Sequence, residues 1–227
     1  MEKGNVKMTK INSTRSACKD VFNAFLVRNA EFDGTLEIPC IKTGIYKPKK
    51  LISFSKCTSS KEFDSWVHFY EDDAVFERLW KDPEKYLPVL SKFEGVISPD
   101  FSLYRDMPLV MQYWNIYRNH AVATWLQNNG IKVIPNIRYG DERTFITACL
   151  GIEKKGTIAI GSHGCIKILK DREIFVTGLD IVVQTVEPRI IVVYGSAPDY
   201  IFDKYRDKGI IILQFDSEFA SSRKKVV

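Results

Sequence analysis

The stretch KVIPNIRYGDERTF, Lys132–Phe145, carries the pattern on which the fold prediction rests. It begins with the β-branched pair Val133 and Ile134, passes through a proline, and continues into a loop crowded with polar and charged side chains. A short apolar run that is bounded by turn residues is typical of a buried strand. We therefore interpret this stretch as a strand that ends in a polar loop.

Four further segments have the same form, because each is a short apolar run that leads into polar or glycine-containing sequence. They are Val96–Ile97, Thr157–Ile160, Ile190–Val193 and Ile210–Leu213. Their continuous apolar runs, without alternation, indicate strands that are covered on both faces. The segments between them are long enough for one crossover each. The sequence therefore predicts an α/β fold with a mainly parallel sheet of successive βα units, either open or partial barrel-like.

The helices between these strands have recognisable ends. Asp106 before Met107-Pro108 predicts a helix start with an aspartate cap, and Asn129-Gly130 predicts its end. A second amphipathic segment covers residues 171–186, and Ser196 with Pro198 predicts the opening of a third helix.

We predict a single α/β domain over residues 18–219, with two unequal parts. Residues 95–216 hold the regular βα units, and residues 18–94 form an irregular N-terminal arm with capping elements. Residues 1–17 are polar and lysine-rich, which predicts a flexible basic tail, and residues 220–227 predict a loose C-terminal tail.

The net charge of +5 is concentrated at the start of the chain. Residues 1–50 carry ten Lys/Arg and five Asp/Glu, whereas residues 51–227 carry 23 of each. A nucleic-acid-binding domain usually has its basic surface on the folded body, so nucleic acid is expected, if at all, through the basic N-terminal arm. The chain has neither a secretory signal nor an apolar run of about 20 residues, so we expect no membrane contact and a cytoplasmic location in a bacterial host cell.

Gly161-Ser162-His163-Gly164-Cys165 is the densest candidate for a site, because it directly follows a predicted strand. Ser162 and Gly164 are candidate ligand-binding residues, since glycine-flanked backbone N–H groups can approach an anion. His163 is a candidate catalytic acid or base. A tight turn whose histidine is hydrogen-bonded to a neighbouring loop remains an alternative.

Arginines and a helix start near the same edge predict an anion cradle. Gly195 and Ser196 precede a helix N-terminus, which attracts phosphates and carboxylates. Asn136, Arg138 and Arg143 are the further ligand-binding candidates, because the arginine fork donates two parallel hydrogen bonds to phosphate. An ordinary serine cap would account equally well for the 195–198 segment.

Asp100 and Asp141 are candidate catalytic bases, and with Glu142 they could instead hold a metal ion. Carboxylate ligands favour a magnesium-like ion, so a divalent metal such as Mg²⁺ is an open option. The five cysteines include no CxxC pair and the three histidines no HxxxH pair, so zinc is not expected. A helix cap with a local ion pair would also explain Asp141-Glu142-Arg143.

Several long motifs resemble one known family. The segments FEGVISPDFSLYRDMPLVMQYWNIYRN, GIKVIPNIRYGDERTF, SHGCI and IIVVYGSAPDYIF are similar to an uncharacterised domain family that is common in phages, plasmids and conjugative elements of Gram-positive bacteria. The resemblance covers roughly residues 26–219. It implies a mobile-element setting, such as replication, transfer or interference with host defence, but no particular activity. The paired-histidine and catalytic-tyrosine signature of a rolling-circle nickase is absent from this sequence.

The leading functional hypothesis is a mobile-element protein that binds a phosphorylated or nucleotide-like small ligand at the carboxyl ends of the parallel strands. An enzyme of this kind would be a hydrolase or transferase on a phosphorylated or nucleotide substrate. One alternative is a nucleic-acid-binding accessory replication protein, and another is a protein-binding antagonist of a host factor. Neither the cofactor nor the oligomeric state follows from the sequence.

Overall fold

Apolar β-branched runs build the centre of a parallel sheet. In the computed structural model, which describes residues 20–217, β7 (Thr157–Gly161) pairs in parallel with β8 (Ile190–Tyr194), and β8 pairs in parallel with β9 (Ile211–Phe215). Every residue of β8 is buried, as expected for a strand that is covered on both faces. The α/β class and the mainly parallel sheet are therefore confirmed.

A second parallel group precedes these strands along the chain. It consists of β3 (Leu51–Ser53), β4 (Trp66–His68), β5 (Gly95–Ile97) and β6 (Val133–Ile134), in that spatial order. An isolated parallel bridge between Asn136 and Ala159 joins the two groups just beyond β6. The seven strands thus follow one another in sequence order. The sheet starts well before residue 95, because β3 and β4 extend it; the division of the domain at that point stays a prediction.

The sheet curves around an apolar layer of its own. Trp66, Ile97, Ile134, Ala159 and Val192, one from each strand between β4 and β8, contact one another in a single buried cluster. Side chains of β3 and β9 pack against the same cluster. This packing is that of a partial barrel, as in parallel barrels whose interiors are filled by side chains from successive strands. Within the described residues, β3 and β9 each pair with a single strand of this sheet.

Helices cover the outside of this curved sheet. They are α1 (Phe54–Cys57), α2 (Asp73–Lys81), α3 (Pro83–Leu90), α4 (Leu109–Asn128), α5 (Leu169–Val186) and α6 (Asp199–Arg206). Residues of α2, α3 and α4 share one core cluster with the first strands, and residues of α5 and α6 share another with the last strands. Between residues 20 and 217, no helix is long and apolar enough to span a bilayer.

The irregular N-terminal arm is confirmed over its described part. It holds a 3-10 turn at Ala24–Val27 and a small antiparallel pair, β1 (Phe32–Asp33) with β2 (Ile38–Pro39). Three side chains of α4 fasten it: His120 lies 2.9 Å from the Pro39 carbonyl, Thr124 donates to the Cys40 carbonyl, and Gln127 donates to the Lys42 carbonyl. The predicted tails at 1–17 and 220–227 lie outside the described residues.

Two predicted helix starts are wrong in detail. Asp106 does not cap α4, which begins only after Pro108. A proline disfavours the helical conformation in the residue before it, so Met107 cannot belong to the first turn. In the same way, α6 begins after Pro198, and Ser196 lies before it in the connecting turn. The predicted stop at Asn129-Gly130 is confirmed, and Gly130 has a φ of +81°.

His120 makes the stability of the fold depend on pH. Burial lowers its pKa from 6.5 to about 4, and the hydrogen bond with Pro39 only partly opposes this. The unfolded chain therefore binds a proton that the folded protein excludes, so the free energy of unfolding falls as the pH drops from 6.5 towards 4. We predict a loss of about 3 kcal/mol from this residue over that interval.

Urea unfolding at neutral pH and near the folded pKa measures this loss. His120→Asn keeps an N–H donor for the Pro39 carbonyl but does not titrate. The difference between wild type and variant therefore isolates the contribution of His120 to the pH dependence of the free energy of unfolding. Equal losses in wild type and variant would contradict the assignment.

Candidate functional site

A buried carboxylate joins the ends of two neighbouring strands. Asp100 follows β5 and is 7% exposed. Its Oδ1 accepts a hydrogen bond from Asn136 Nδ2 at 2.7 Å, and its Oδ2 accepts one from Arg138 Nη1 at 2.8 Å. Asn136 and Arg138 both follow β6, which is the parallel neighbour of β5. Adjacent strand ends therefore bring these three predicted site residues into direct contact.

Asn136 is fixed by its backbone as well as by its side chain. Its N–H donates to Ser98 Oγ at 2.8 Å, and the bridge to Ala159 holds it beside β7. Its Oδ1 accepts a hydrogen bond from the Tyr70 hydroxyl at 2.9 Å. Asn136 is itself only 3% exposed, so it positions Asp100 from within the protein.

The surroundings of Asp100 shift the pKa values of both Asp100 and Arg138. Burial raises the pKa of Asp100 above its ordinary value, while the Arg138 charge and the Asn136 hydrogen bond act in the opposite direction. Asp100 in turn raises the pKa of Arg138. The Arg138 side chain keeps 26% of its surface exposed.

Arg138 lines a cavity of about 380 Å³. Asp100, Arg138, His163 and Gly164 all line it, so four of the predicted site residues share one space. The apolar part of the wall comes from the strand ends and from α5, and it includes Leu103, Ile137, Ile160, Ile174 and Phe175. The cavity lies at the carboxyl ends of β5, β6 and β7, where ligands bind in parallel α/β proteins.

A second ion pair lines the same cavity. Arg105 Nη2 lies 2.7 Å from Asp171 Oδ1, which joins the loop before α4 to the first turn of α5. The cavity lining therefore contains two arginines and two aspartates. Its fixed charges balance, and a ligand would meet paired charges there.

Ser162, Gly195 and Ser196 build a turn beside the cavity and do not line it. Ser162 is fully buried, and its hydroxyl donates to the Ser196 carbonyl at 2.7 Å. Gly195 has a φ of +115°, and a Cβ there would press on Ser162 and on the backbone of His163. These residues hold the exits of β7 and β8 together, which leaves His163 and Gly164 exposed at the cavity.

Asp141 and Arg143 likewise lie outside the cavity. Asp141 accepts hydrogen bonds from the Arg143 backbone N–H, Nε and Nη2, at 3.0, 2.9 and 2.7 Å. These contacts lower the pKa of Asp141. Asp141 lines a neighbouring depression with Arg105 and Glu142. A carboxylate that is so well paired is a weak base, so the local ion pair considered from the sequence is what the structure contains.

The arrangement of carboxylates does not suit a metal ion. Within residues 20–217, no group of three or more His, Cys, Asp or Glu side chains is placed to hold one. Both oxygens of Asp100 already accept hydrogen bonds from side chains. We therefore assign no metal-dependent step to this site.

Sequence reasoning missed several residues of this region. Tyr104 and Arg105 follow β5, so attention to the whole strand exit would have found them. Asp171 was interpreted only as part of a helix. Tyr70 was missed because β4 was assigned to the arm; its ring stacks on Tyr194, with centroids 4.6 Å apart and an interplanar angle of 9°.

These features define a parallel α/β protein with a cavity, lined by ion pairs and apolar side chains, at the carboxyl edge of a partly closed sheet. The model of a family described as a domain of unknown function (DUF4417) matches residues 30–216, and the chain belongs to this family. The resemblance noted from the sequence motifs is thereby confirmed.

Two relatives place this protein among phage proteins. It is 31% identical over 188 residues to the Gene 1 protein of Mycobacterium phage L5, which covers 81% of each chain. It is 32% identical over 163 residues to the Gene 1 protein of Mycobacterium phage D29, covering 70% of this chain and 60% of the phage protein. No solved structure matches the chain. The protein is thus phage-associated.

We predict that Asp100→Ala lowers the free energy of unfolding by about 2–4 kcal/mol, because it leaves Arg138 and Asn136 without their buried acceptor. Asp141→Ala is the matched control, since it also removes an arginine-paired carboxylate, but its arginine is 43% exposed. Urea unfolding of both variants checks this. A loss in Asp141→Ala equal to or larger than that in Asp100→Ala would contradict the structural importance of Asp100.

Proposed function

We propose that the cavity binds a small phosphorylated or nucleotide-like ligand. The proposal depends on the hydrogen bonding of Arg138 at the cavity wall, where its guanidinium is only partly used by protein acceptors. Within residues 20–217, Asp100 is the hydrogen-bond partner of its guanidinium and engages only Nη1. Nε and Nη2 therefore keep N–H donors for a ligand, and a guanidinium fork matches the oxygen geometry of phosphate.

The size and lining of the cavity support the same class of ligand. About 380 Å³ falls within the usual range of roughly 300–1,000 Å³ for small-molecule sites. Its apolar wall suits the ring of a base or a similar group, and Arg138 with the exposed backbone around Gly164 suits the anionic end. His163 also lines the cavity.

Within this proposal, a hydrolytic or transfer reaction would use His163 as the general base. Imidazole is the side chain that most often serves as a general base in enzymes, and His163 lines the cavity directly. Asp141 is less suited, since it lies in the neighbouring depression and Arg143 lowers its pKa.

Binding an anion beside Arg138 should favour a proton on Asp100. The charges of the lining balance, so an added anion has unpaired positive charge to use only if an aspartate becomes neutral. Burial already raises the pKa of Asp100, which makes it the carboxyl that takes up the proton.

We predict that nucleotides or other phosphorylated ligands stabilise the wild-type protein, and that Arg138→Gln weakens this effect strongly. A thermal-shift screen of nucleotides, cyclic nucleotides and inorganic phosphate, followed by calorimetry on the best ligand, measures it. Loss of one charge-assisted contact corresponds to roughly a tenfold or larger loss of affinity. Arg143→Gln is the matched control, because it removes an aspartate-paired arginine that does not line the cavity.

The same measurements separate this proposal from nucleic-acid binding. Affinity for nucleic acid falls steeply with salt, and it should fall further when residues 1–17 are deleted. A small ligand in the cavity should keep its affinity without those residues. Equal responses of Arg138→Gln and Arg143→Gln, or no stabilisation by any ligand, would overturn the proposed site.

We also predict that anion affinity rises as the pH falls below neutrality, since a proton on Asp100 frees the Arg138 charge. Asp100→Asn, which has no carboxylate at this position, should bind the anion with a much weaker pH dependence. Calorimetry in buffers of different ionisation enthalpy measures the accompanying proton uptake. Identical pH profiles for wild type and Asp100→Asn would exclude Asp100 as the coupled group.

A further inference from the structure

A chain of three hydrogen bonds leads from Tyr70, just after β4, to Arg138 at the cavity. The Tyr70 hydroxyl donates to Asn136 Oδ1 at 2.9 Å, Asn136 Nδ2 donates to Asp100 Oδ1 at 2.7 Å, and Arg138 Nη1 donates to Asp100 Oδ2 at 2.8 Å. The Arg138 side chain keeps 26% of its surface exposed, against 8% for Asp100. Tyr70 follows β4, which lies on the far side of β5 from Asn136 and Arg138.

The direction of each hydrogen bond in this chain is determined. A carboxylate can only accept, so Asn136 must present its NH₂ group to Asp100. The amide oxygen then faces Tyr70 and can only accept from the phenol. Asp100 therefore sets which way round the Asn136 amide stands, because the reversed amide would place its oxygen against the carboxylate. The Tyr70 hydroxyl stabilises the same orientation by donating to the amide oxygen.

The backbone of Asn136 and the ring of Tyr70 are both held in place, so the orientation of the Asn136 side-chain amide is what the Tyr70 hydroxyl can affect. The backbone of Asn136 is held by Ser98 and by the bridge to β7. The Tyr70 ring is held by stacking on Tyr194. Burial raises the pKa of Tyr70 well above its ordinary value, so the phenol stays protonated and remains a donor.

We propose that Tyr70 is a positioning residue of the cavity, which acts through Asn136 and Asp100 to aim the uncommitted N–H groups of Arg138 at the ligand. This inference rests on the ligand site proposed above. Tyr70 does not line the cavity, so its effect on binding is indirect.

The first test needs no ligand and follows the Asp100 carboxyl by ¹³C NMR titration. The ionisable groups that face Asp100 are Arg138, Tyr70 at the β4 exit, Asp73 of α2 and Cys165 in the β7 exit. In Tyr70→Phe the aromatic stack remains but the phenol donor is lost. We expect the proton affinity of Asp100 to rise about threefold or more, since its carboxylate loses a fixed amide donor.

Two further variants make this test specific. Asn136→Leu removes the amide donor directly and should reproduce the shift, and the double variant with Tyr70→Phe should add nothing to it. Tyr205→Phe is the matched control. Its phenol donates to Asp180 at 2.9 Å and takes no part in the hydrogen bonds that link Tyr70 to Arg138. An unchanged Asp100 titration in Tyr70→Phe, or additive shifts in the double variant, would overturn the inference. If Tyr70→Phe does not fold, the titration of Asn136→Leu decides it: an unchanged Asp100 would refute the chain.

The second test uses the best-binding nucleotide or inorganic phosphate. At a pH above the Asp100 titration found in the first test, where Asp100 is ionised in both free proteins, the loss of aim of Arg138 should outweigh the threefold gain in proton affinity. Tyr70→Phe should then weaken the affinity about tenfold, whereas Tyr205→Phe should leave it unchanged. If no probe binds wild type, the proposed function fails, and the titration still decides whether Tyr70 orients Asp100. If the probe binds and Tyr70→Phe binds it equally well, the positioning role fails and the ligand site stands.

Discussion

Parallel pairing in chain order is the constraint on which the rest of this structure depends. When each strand lies beside the next one along the chain, every strand must end at the same edge of the sheet. Residues that are far apart in sequence, such as Tyr70, Asp100 and Arg138, then become neighbours without any further device. The apolar layer inside the curved sheet keeps this edge in place, because each of five strands contributes one apolar side chain to a common cluster.

Much of this arrangement could be predicted from local sequence. Runs such as Ile190–Val193 are apolar on both faces, which indicates a doubly covered strand wherever it occurs. Asp100, Asn136 and Arg138 were recognisable because each follows such a run directly. The strand exits were also enough to place His163 near them, since a shared edge follows from parallel pairing.

Other features depend on contacts that no local pattern contains. Asp106 matches the pattern of a helix cap, yet Pro108 delays the helix by constraining the residue before it. Ser162 and Ser196 have the composition of an anion-binding turn, but the close approach of the β7 and β8 exits directs the Ser162 hydroxyl to a backbone carbonyl. Tyr70 follows a strand of only three residues, whose place in the sheet is set by its pairing with β5. In the last two cases a residue distant in sequence determined the outcome, whereas the helix start depends on a proline only two residues away.

The joint between the two groups of strands has a mechanical meaning. β6 and β7 meet through a single bridge, with backbone hydrogen bonds from Ile137 to Ala159 and from Ala159 to Pro135. Ile137 and Ile160 lie on the two sides of this joint, and both line the cavity. The joint holds fewer residue pairs than the five-residue ladder between β7 and β8. The width of the cavity therefore depends on a weakly cross-linked joint that is reinforced by the apolar cluster containing Ile134 and Ala159.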